Sequence, residues 1–434
     1  MSFREAPADE CGLGMEVFYT DTPGIGGKLK VQAEDFVVDE VSKVLPRSDN
    51  GKYVIATVTS TNWEMNRLVR QLSKALGISR TKIGFAGTKD KRAVTTQLLS
   101  FEAPLEAVQA LNVHQVEVRD VFRSNKHLTI GDLVGNRFAI KVRDCNIKGE
   151  ELQASVHSTQ ERLEALRGFP NFFGPQRFGS IRPITHLVGR SIVKGDMEGA
   201  VLWYVAQPDE EEDEQSREAR KRLQEERDYA AALSYFPQKL TFERMVIGWL
   251  ERHPEDYVGA IRVLPSNLQM MFVHAYQSYM FNRILSERIR RGLPLNEPLP
   301  GDVVLPADKD GLPDHDKHVP VTENNMDLVR KQVRDGRAFI SGVLYGQDSV
   351  LAEGQMGEIE RSVVGSEGLK LEDFKVPQIP DCNSRGSRRE LVAGYKDLKT
   401  QCSDDVLDIS FTLGKGCYAT VLLREFMKSP LQDY

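Results

Sequence analysis

Cysteine is scarce in this chain and poorly spaced for chemistry. Cys11, Cys145, Cys382, Cys402 and Cys417 are scattered, five in number, and form no C-x-x-C pair. An odd, dispersed set supports neither a disulfide framework nor a zinc site. The eight histidines are spread out too. His315 and His318 come nearest to a metal pattern, but they sit in a Pro/Gly/Asp-rich loop with no third ligand nearby. That reads as solvated loop, so no metal is expected. Long apolar runs are also missing: none reaches the roughly 18 residues of a membrane span. The opening segment Met1–Pro7 lacks the apolar core of a secretory signal. A cytoplasmic protein with no membrane partner is the expectation. A nucleotide-binding P-loop is absent as well. Gly84-Phe-Ala-Gly87 has two residues between its glycines where four are needed, and Lys89 is followed by Asp90 rather than Ser or Thr. A nucleotide-dependent kinase or ATPase is therefore disfavoured. No internal repeat stands out.

What is present is ordinary in bulk and uneven in detail. The 434 residues are long for one core, so two domains are expected. Apolar content of 40% and charged content of 28% suit a globular protein. The net charge of −6 argues against a polyanionic partner only until its distribution is read. Asp209 to Glu214 is an unbroken acidic run. By contrast, Arg67, Arg70, Lys74, Arg80, Lys82, Lys89, Lys91 and Arg92 crowd one stretch, 67–92, in which Asp90 is the lone acid. Such a patch is the electrostatic footprint of phosphate binding. A solvated helix face explains its first half equally well and the loop around Asp90 poorly.

Residues 27–41 read as two short strands around a Glu-Asp turn, and residues 53–59 as another strand. Met65, Leu68, Val69, Leu72 and Leu76 recur at helical spacing, with Thr61 or Asn62 as the expected cap and Gly77 as the stop. Further strands are expected near 82–86, 93–101, 116–121 and 137–142. The alternation suggests an α+β fold, a sheet with helices on one face. Residues 208–228 are almost entirely charged and read as an exposed helix or connector. A helical pattern then runs from Leu240 to about Arg291, and β pattern resumes at Asp408–Leu413. The simplest organisation is a catalytic domain split by an insertion: 1–194 and 393–434, interrupted by a mainly helical α+β domain at 195–392.

The most informative segment is Gly84-Phe-Ala-Gly-Thr-Lys-Asp-Lys-Arg-Ala-Val-Thr-Thr-Gln97. The glycine spacing matches the backbone clamp of a KH domain, although one G-x-x-G is weak evidence. The other reading is a basic loop whose purpose is to present Asp90. Residues 87–97 resemble the signature of the TruD family of pseudouridine synthases. Lys30-Val-Gln-Ala-Glu-Asp-Phe-Val-Val-Asp-Glu40, Gly135-Asn-Arg-Phe138, Asn171-Phe-Phe-Gly-Pro-Gln-Arg-Phe-Gly179 and Gly416-Cys-Tyr-Ala-Thr-Val-Leu-Leu-Arg-Glu-Phe426 are similar to the family's other motifs, in the same order. The resemblance spans about residues 27–428 and looks like the archaeal and eukaryotic branch.

That resemblance implies an α+β pseudouridine-synthase fold and an isomerase of tRNA, acting on U13 in the D arm. The N-glycosidic bond breaks, the uracil turns, and C5 is joined to C1′. An ionised carboxylate must attack C6 or C1′, and Asp90 takes that place. Neighbouring cations favour the charged form of an acid. Lys30, Phe36, Asn171 and Tyr418 correspond to substrate-binding positions. Their ordinary readings are a strand-edge lysine, a core phenylalanine, a turn residue after Pro170 and a packing residue at a helix start. An ion pair between Lys30 and Asp90 is one arrangement this allows. Tyr418 departs mildly from the usual Phe but keeps the ring face for stacking. Lys89, Lys91, Arg92 and Arg177 are expected to contact RNA, with a structural ion pair as the even alternative for Arg177. Aromatic and polar residues of 270–283 could meet RNA or pack in the core. No cofactor and no obligate protein partner are implied, and a monomer is expected. The rival reading is a non-catalytic RNA-binding module using the Gly84–Gly87 loop.

Overall fold

The computed structural model describes residues 3–179 and 181–434; Ser180 and the first two residues of the opening segment lie outside the described residues. The chain separates into two compact units, Thr22–Phe169 with Ala393–Tyr434, and Met1–Asp21 with Pro170–Val392. The second unit joins the first 21 residues to Pro170–Val392, a longer stretch than the expected 195–392. Local contacts hold the 170–194 segment in it. The Phe173 amide donates to Asn282 Oδ1 at 2.8 Å, and the Thr185–Val193 helix packs along the Ser266–Arg290 helix.

The first unit is built on a nine-stranded sheet. Its main path runs Tyr395–Ser403, Val406–Gly414, Leu133–Cys145, Phe36–Ser42, Val94–Phe101, Tyr53–Thr61 and Val116–Ser124. Gly26–Lys28 joins along Leu133–Cys145, and Ile83–Phe85 along Val94–Phe101. Neighbours are antiparallel except Phe36–Ser42 with Val94–Phe101, where Val37 lies opposite Val94. The strands earn burial by alternation: Phe36, Val38, Phe138, Ile140, Phe411 and Leu413 all turn inward. The Met65–Leu76 helix follows the spacing of its apolar residues and buries Met65, Leu68, Val69 and Leu72 on Val54, Val58, Leu99 and Phe101. Its cap is Glu64, not Thr61 or Asn62. The carboxylate accepts the amides of Asn66 and Arg67, both at 2.9 Å, because Thr61 is still held in the preceding strand. Gly77 ends the helix in left-handed backbone, φ 65°.

The second unit is helical around a four-stranded antiparallel sheet ordered Val319–Pro320, Val303–Pro306, Ala338–Leu344 and Ser387–Glu390. Its central Ser266–Arg290 helix is buried on most sides. Tyr276 donates its hydroxyl to Glu367 at 2.9 Å, Gln277 bonds the Tyr345 carbonyl at 2.7 Å, and Asn282 bonds the carbonyls of Leu13 and Phe173. Of the two readings of 270–283, core packing accounts for these three. The acidic run is exposed at Glu210, Glu211, Asp213 and Glu214, yet it is tied into its unit. Glu212 pairs with Arg182 and Arg220, and Asp213 caps the Glu214–Glu226 helix while pairing with Lys239.

Candidate active site

Asp90 sits in the 86–93 loop, between the Ile83–Phe85 and Val94–Phe101 strands. Lys30 reaches it from the turn before Phe36–Ser42. Lys30 Nζ lies 2.9 Å from Asp90 Oδ1, and no hydrogen bond reaches Oδ2 among the described residues. The Asp90 side chain is 37% exposed and that of Lys30 12%. One carboxylate oxygen is thus held and the other left open, an arrangement chemically capable of acting as a nucleophile.

Several features aim Lys30. Its backbone is left-handed, φ 57°, uncommon outside glycine. Its ammonium lies 4.4 Å above the centroid of the Phe36 ring. Phe36 is buried and meets Phe138 edge-on, and Phe138 in turn contacts Phe411. The turn leading into Phe36 is tied by Asp35, which accepts the Gln32 amide and pairs with Arg143 at 2.7 Å. Burial pushes the Asp35 carboxyl up, but the hydrogen bonds from Arg143 and Gln32 outweigh it and hold it below its ordinary value.

The basic neighbours of Asp90 divide. Lys91 and Arg92 are exposed. Lys89 turns inward, its Nζ 2.8 Å from Glu40 Oε2, with side-chain exposures of 5% and 0%. Burial with a carboxylate partner leaves that ammonium no direct path to a phosphate. Glu40 is the functional candidate that residue-by-residue reading passed over. Its partner lies 49 residues away and is brought there by the pairing of two parallel strands.

The glycines do something other than bend a clamp. Gly84 is buried in the Ile83–Phe85 strand, opposite Ser100, and a Cβ there would collide with the Leu128 carbonyl. Gly84 and Phe85 are therefore part of a strand, and only Ala86 and Gly87 lie in the loop, so the four residues do not form one exposed backbone cradle. Tyr418 stands at the start of the Ala419–Met427 helix, half-buried. Strand register carries its turn toward Glu40: Gly414 lies opposite Gly135, and Gly135 opposite Val41.

In the other unit, Asn171 is 1% exposed. It donates to Glu390 Oε1 at 2.8 Å and to the Glu390 carbonyl at 3.0 Å, and it accepts from Arg389 at 2.6 Å. Glu390 also bonds His315 at 3.0 Å, which raises the His315 pKa above its ordinary value. Burial pushes Glu390 up, yet His315 and Arg389 together hold it below the usual carboxylate value. Arg177 bonds Ser278 Oγ at 3.1 Å. No cluster of histidine, cysteine, Asp and Glu suited to a metal occurs among the described residues, and no helix there is long and apolar enough to cross a membrane.

Comparison with known proteins gives the same family that the motifs suggest. The model of the family described as tRNA pseudouridine synthase D (TruD) matches residues 12–426. A relative from Methanococcoides burtonii, named "Probable tRNA pseudouridine synthase D", is 44% identical over 433 residues, covering 98% of each chain. One of the same name from Halobacterium salinarum is 40% identical over 443 residues, covering 99% of each. A crystal structure of TruD from Methanosarcina mazei superposes with a TM-score of 0.88 at 40% identity, covering 99% of this chain and 100% of that one. With an α+β architecture and a family match over nearly its whole length, the chain belongs to the tRNA pseudouridine synthase D family.

Proposed function

We propose that this protein isomerises a uridine of tRNA, U13 in the D arm, to pseudouridine, with Asp90 as the nucleophile. The observation that carries the reading is the Lys30–Asp90 pair, which holds one carboxylate oxygen and leaves the other open. The target base must leave its stack before a side chain can reach it. Asp90 then attacks C6 of the base or C1′ of the ribose. The N1–C1′ bond breaks, uracil turns and C5 bonds to C1′; the Asp90 bond breaks in that step if it formed at C1′, or by elimination afterwards if it formed at C6, and the C5 proton leaves while N1 regains one. Atoms balance within the nucleotide, so the net change is isomerisation.

The other residues take roles that suit their surroundings. Lys30 pairs with Asp90, and Phe36 carries Lys30 on its ring. Tyr418 stacks on the displaced base, an interaction worth about 1–3 kcal/mol. Asn171 acts by fixing Arg389, since its own amide is fully engaged. Lys91, Arg92 and Arg177 meet the RNA backbone, and Lys89 supports the loop from within.

Incubation of wild-type protein and Asp90→Asn with unmodified tRNA, followed by pseudouridine mapping, tests this. Wild type should convert U13, and Asp90→Asn should lose conversion by at least about a thousandfold while keeping RNA affinity. Conversion at wild-type rate by Asp90→Asn would sink the nucleophile assignment. Conversion of another uridine would overturn the U13 assignment alone.

A further inference from the structure

The second unit holds a cleft of about 560 Å³ between the Ser266–Arg290 helix and the 383–389 turn and strand. Its lining includes Phe173, Arg177, His274, Arg385 and Arg389, and no Asp or Glu. Arg388 also lines it, but that guanidinium is spent on buried Glu360 at 2.6 Å. The remaining three arginines differ in how they are held. Arg389 is fixed by Asn171 and lies 4.2 Å over the Phe173 ring, and Arg177 is directed by Ser278 near the same ring, at 5.7 Å. Arg385 stands at the rim, its side chain 86% exposed and 3.9 Å from Asp348. Within the cleft, the half-buried His274 ring has no hydrogen-bond partner among the described residues. Burial first and Arg177 second lower its pKa, so the imidazole is neutral and offers one donor and one acceptor.

We propose that this cleft binds one nucleotide of the RNA other than the reacting uridine, its phosphodiester on Arg177 and Arg385 and its base edge on His274. The inference rests on the RNA-modifying reading above and adds a site to it. The only charged side chains in the lining are cationic or, like His315, cationic when protonated, which suits a phosphate, and a neutral imidazole suits an uncharged base edge. The cleft has no carboxylate of its own, so its groups hold a nucleotide rather than attack one.

Steady-state kinetics and filter binding with tRNA test it, using wild type, Arg385→Glu, His274→Leu and the control Lys221→Glu on the exposed face of the Glu214–Glu226 helix. Arg385→Glu should raise KM and Kd roughly tenfold with kcat kept within about twofold, and should flatten the salt dependence of log Kd by about 0.9. His274→Leu should weaken binding severalfold without that change in slope. Lys221→Glu should match wild type. Unchanged KM, Kd and salt slope in Arg385→Glu would overturn the site. A wild type that binds RNA without isomerising any uridine would instead sink the function reading, and Kd alone would then judge the cleft.

Discussion

Lys89 and Asp90 are adjacent in sequence and opposite in environment. Asp90 faces solvent with one oxygen open, while Lys89 is shut in with Glu40. A buried pair of this kind is weak evidence for stability, but breaking it from one side strands a charge. Glu40→Gln should therefore cost about 3–5 kcal/mol in unfolding free energy. The double variant Glu40→Leu with Lys89→Met should recover most of that loss, since both charges leave together. Denaturant unfolding of Glu40→Leu, Lys89→Met and the double measures the coupling. If Glu40→Gln unfolds like wild type, the pair is not buried as described. The double variant also separates stability from chemistry. A refolded but slow enzyme would show that the ion pair aims the Asp90 loop rather than only supporting it.

Secondary structure around the site was largely legible because its signals are local. Apolar spacing over 65–76 specifies which helix face is buried, and Gly77 stops it. The cap was misplaced because Asn62 and Thr61 have the favoured side chains, yet Thr61 is still paired with Val94 in the sheet. Glu64 is the first residue free to fold back on the amides. Glu64→Ala should cost about 1 kcal/mol and lower the melting temperature by roughly 2–4 °C, readable by calorimetry. The effect should fall on the helix that displays Arg67, Arg70 and Lys74. The ordered motifs made Asp90 visible as well. What stayed hidden depends on long-range register: the Glu40–Lys89 pair, the collision that demands glycine at 84, and the Arg389–Asn171–Glu390 cluster spanning more than 200 residues.

Charge makes sense only across the whole molecule. A net −6 on an RNA-directed protein looks contradictory until each acid is assigned. The densest acids, Asp209–Glu214, mostly serve their own unit. Glu212 takes Arg220, a side chain 1% exposed that also meets Glu243 and the Tyr204 carbonyl. Asp213 caps a helix, and Glu210 pairs with Arg217. An acidic segment consumed this way presents less unpaired negative charge than its composition suggests, and salt screens exposed charges beyond about 10 Å. Neutralising Glu210 and Glu211 to Gln should therefore leave tRNA affinity within about twofold at 0.1 M salt. Glu212→Gln should instead destabilise by about 3 kcal/mol, because it strips a charge partner from a buried guanidinium. Filter binding reads the first and thermal melting the second. A severalfold gain in affinity from the Glu210/Glu211 change would mean that the run screens RNA after all.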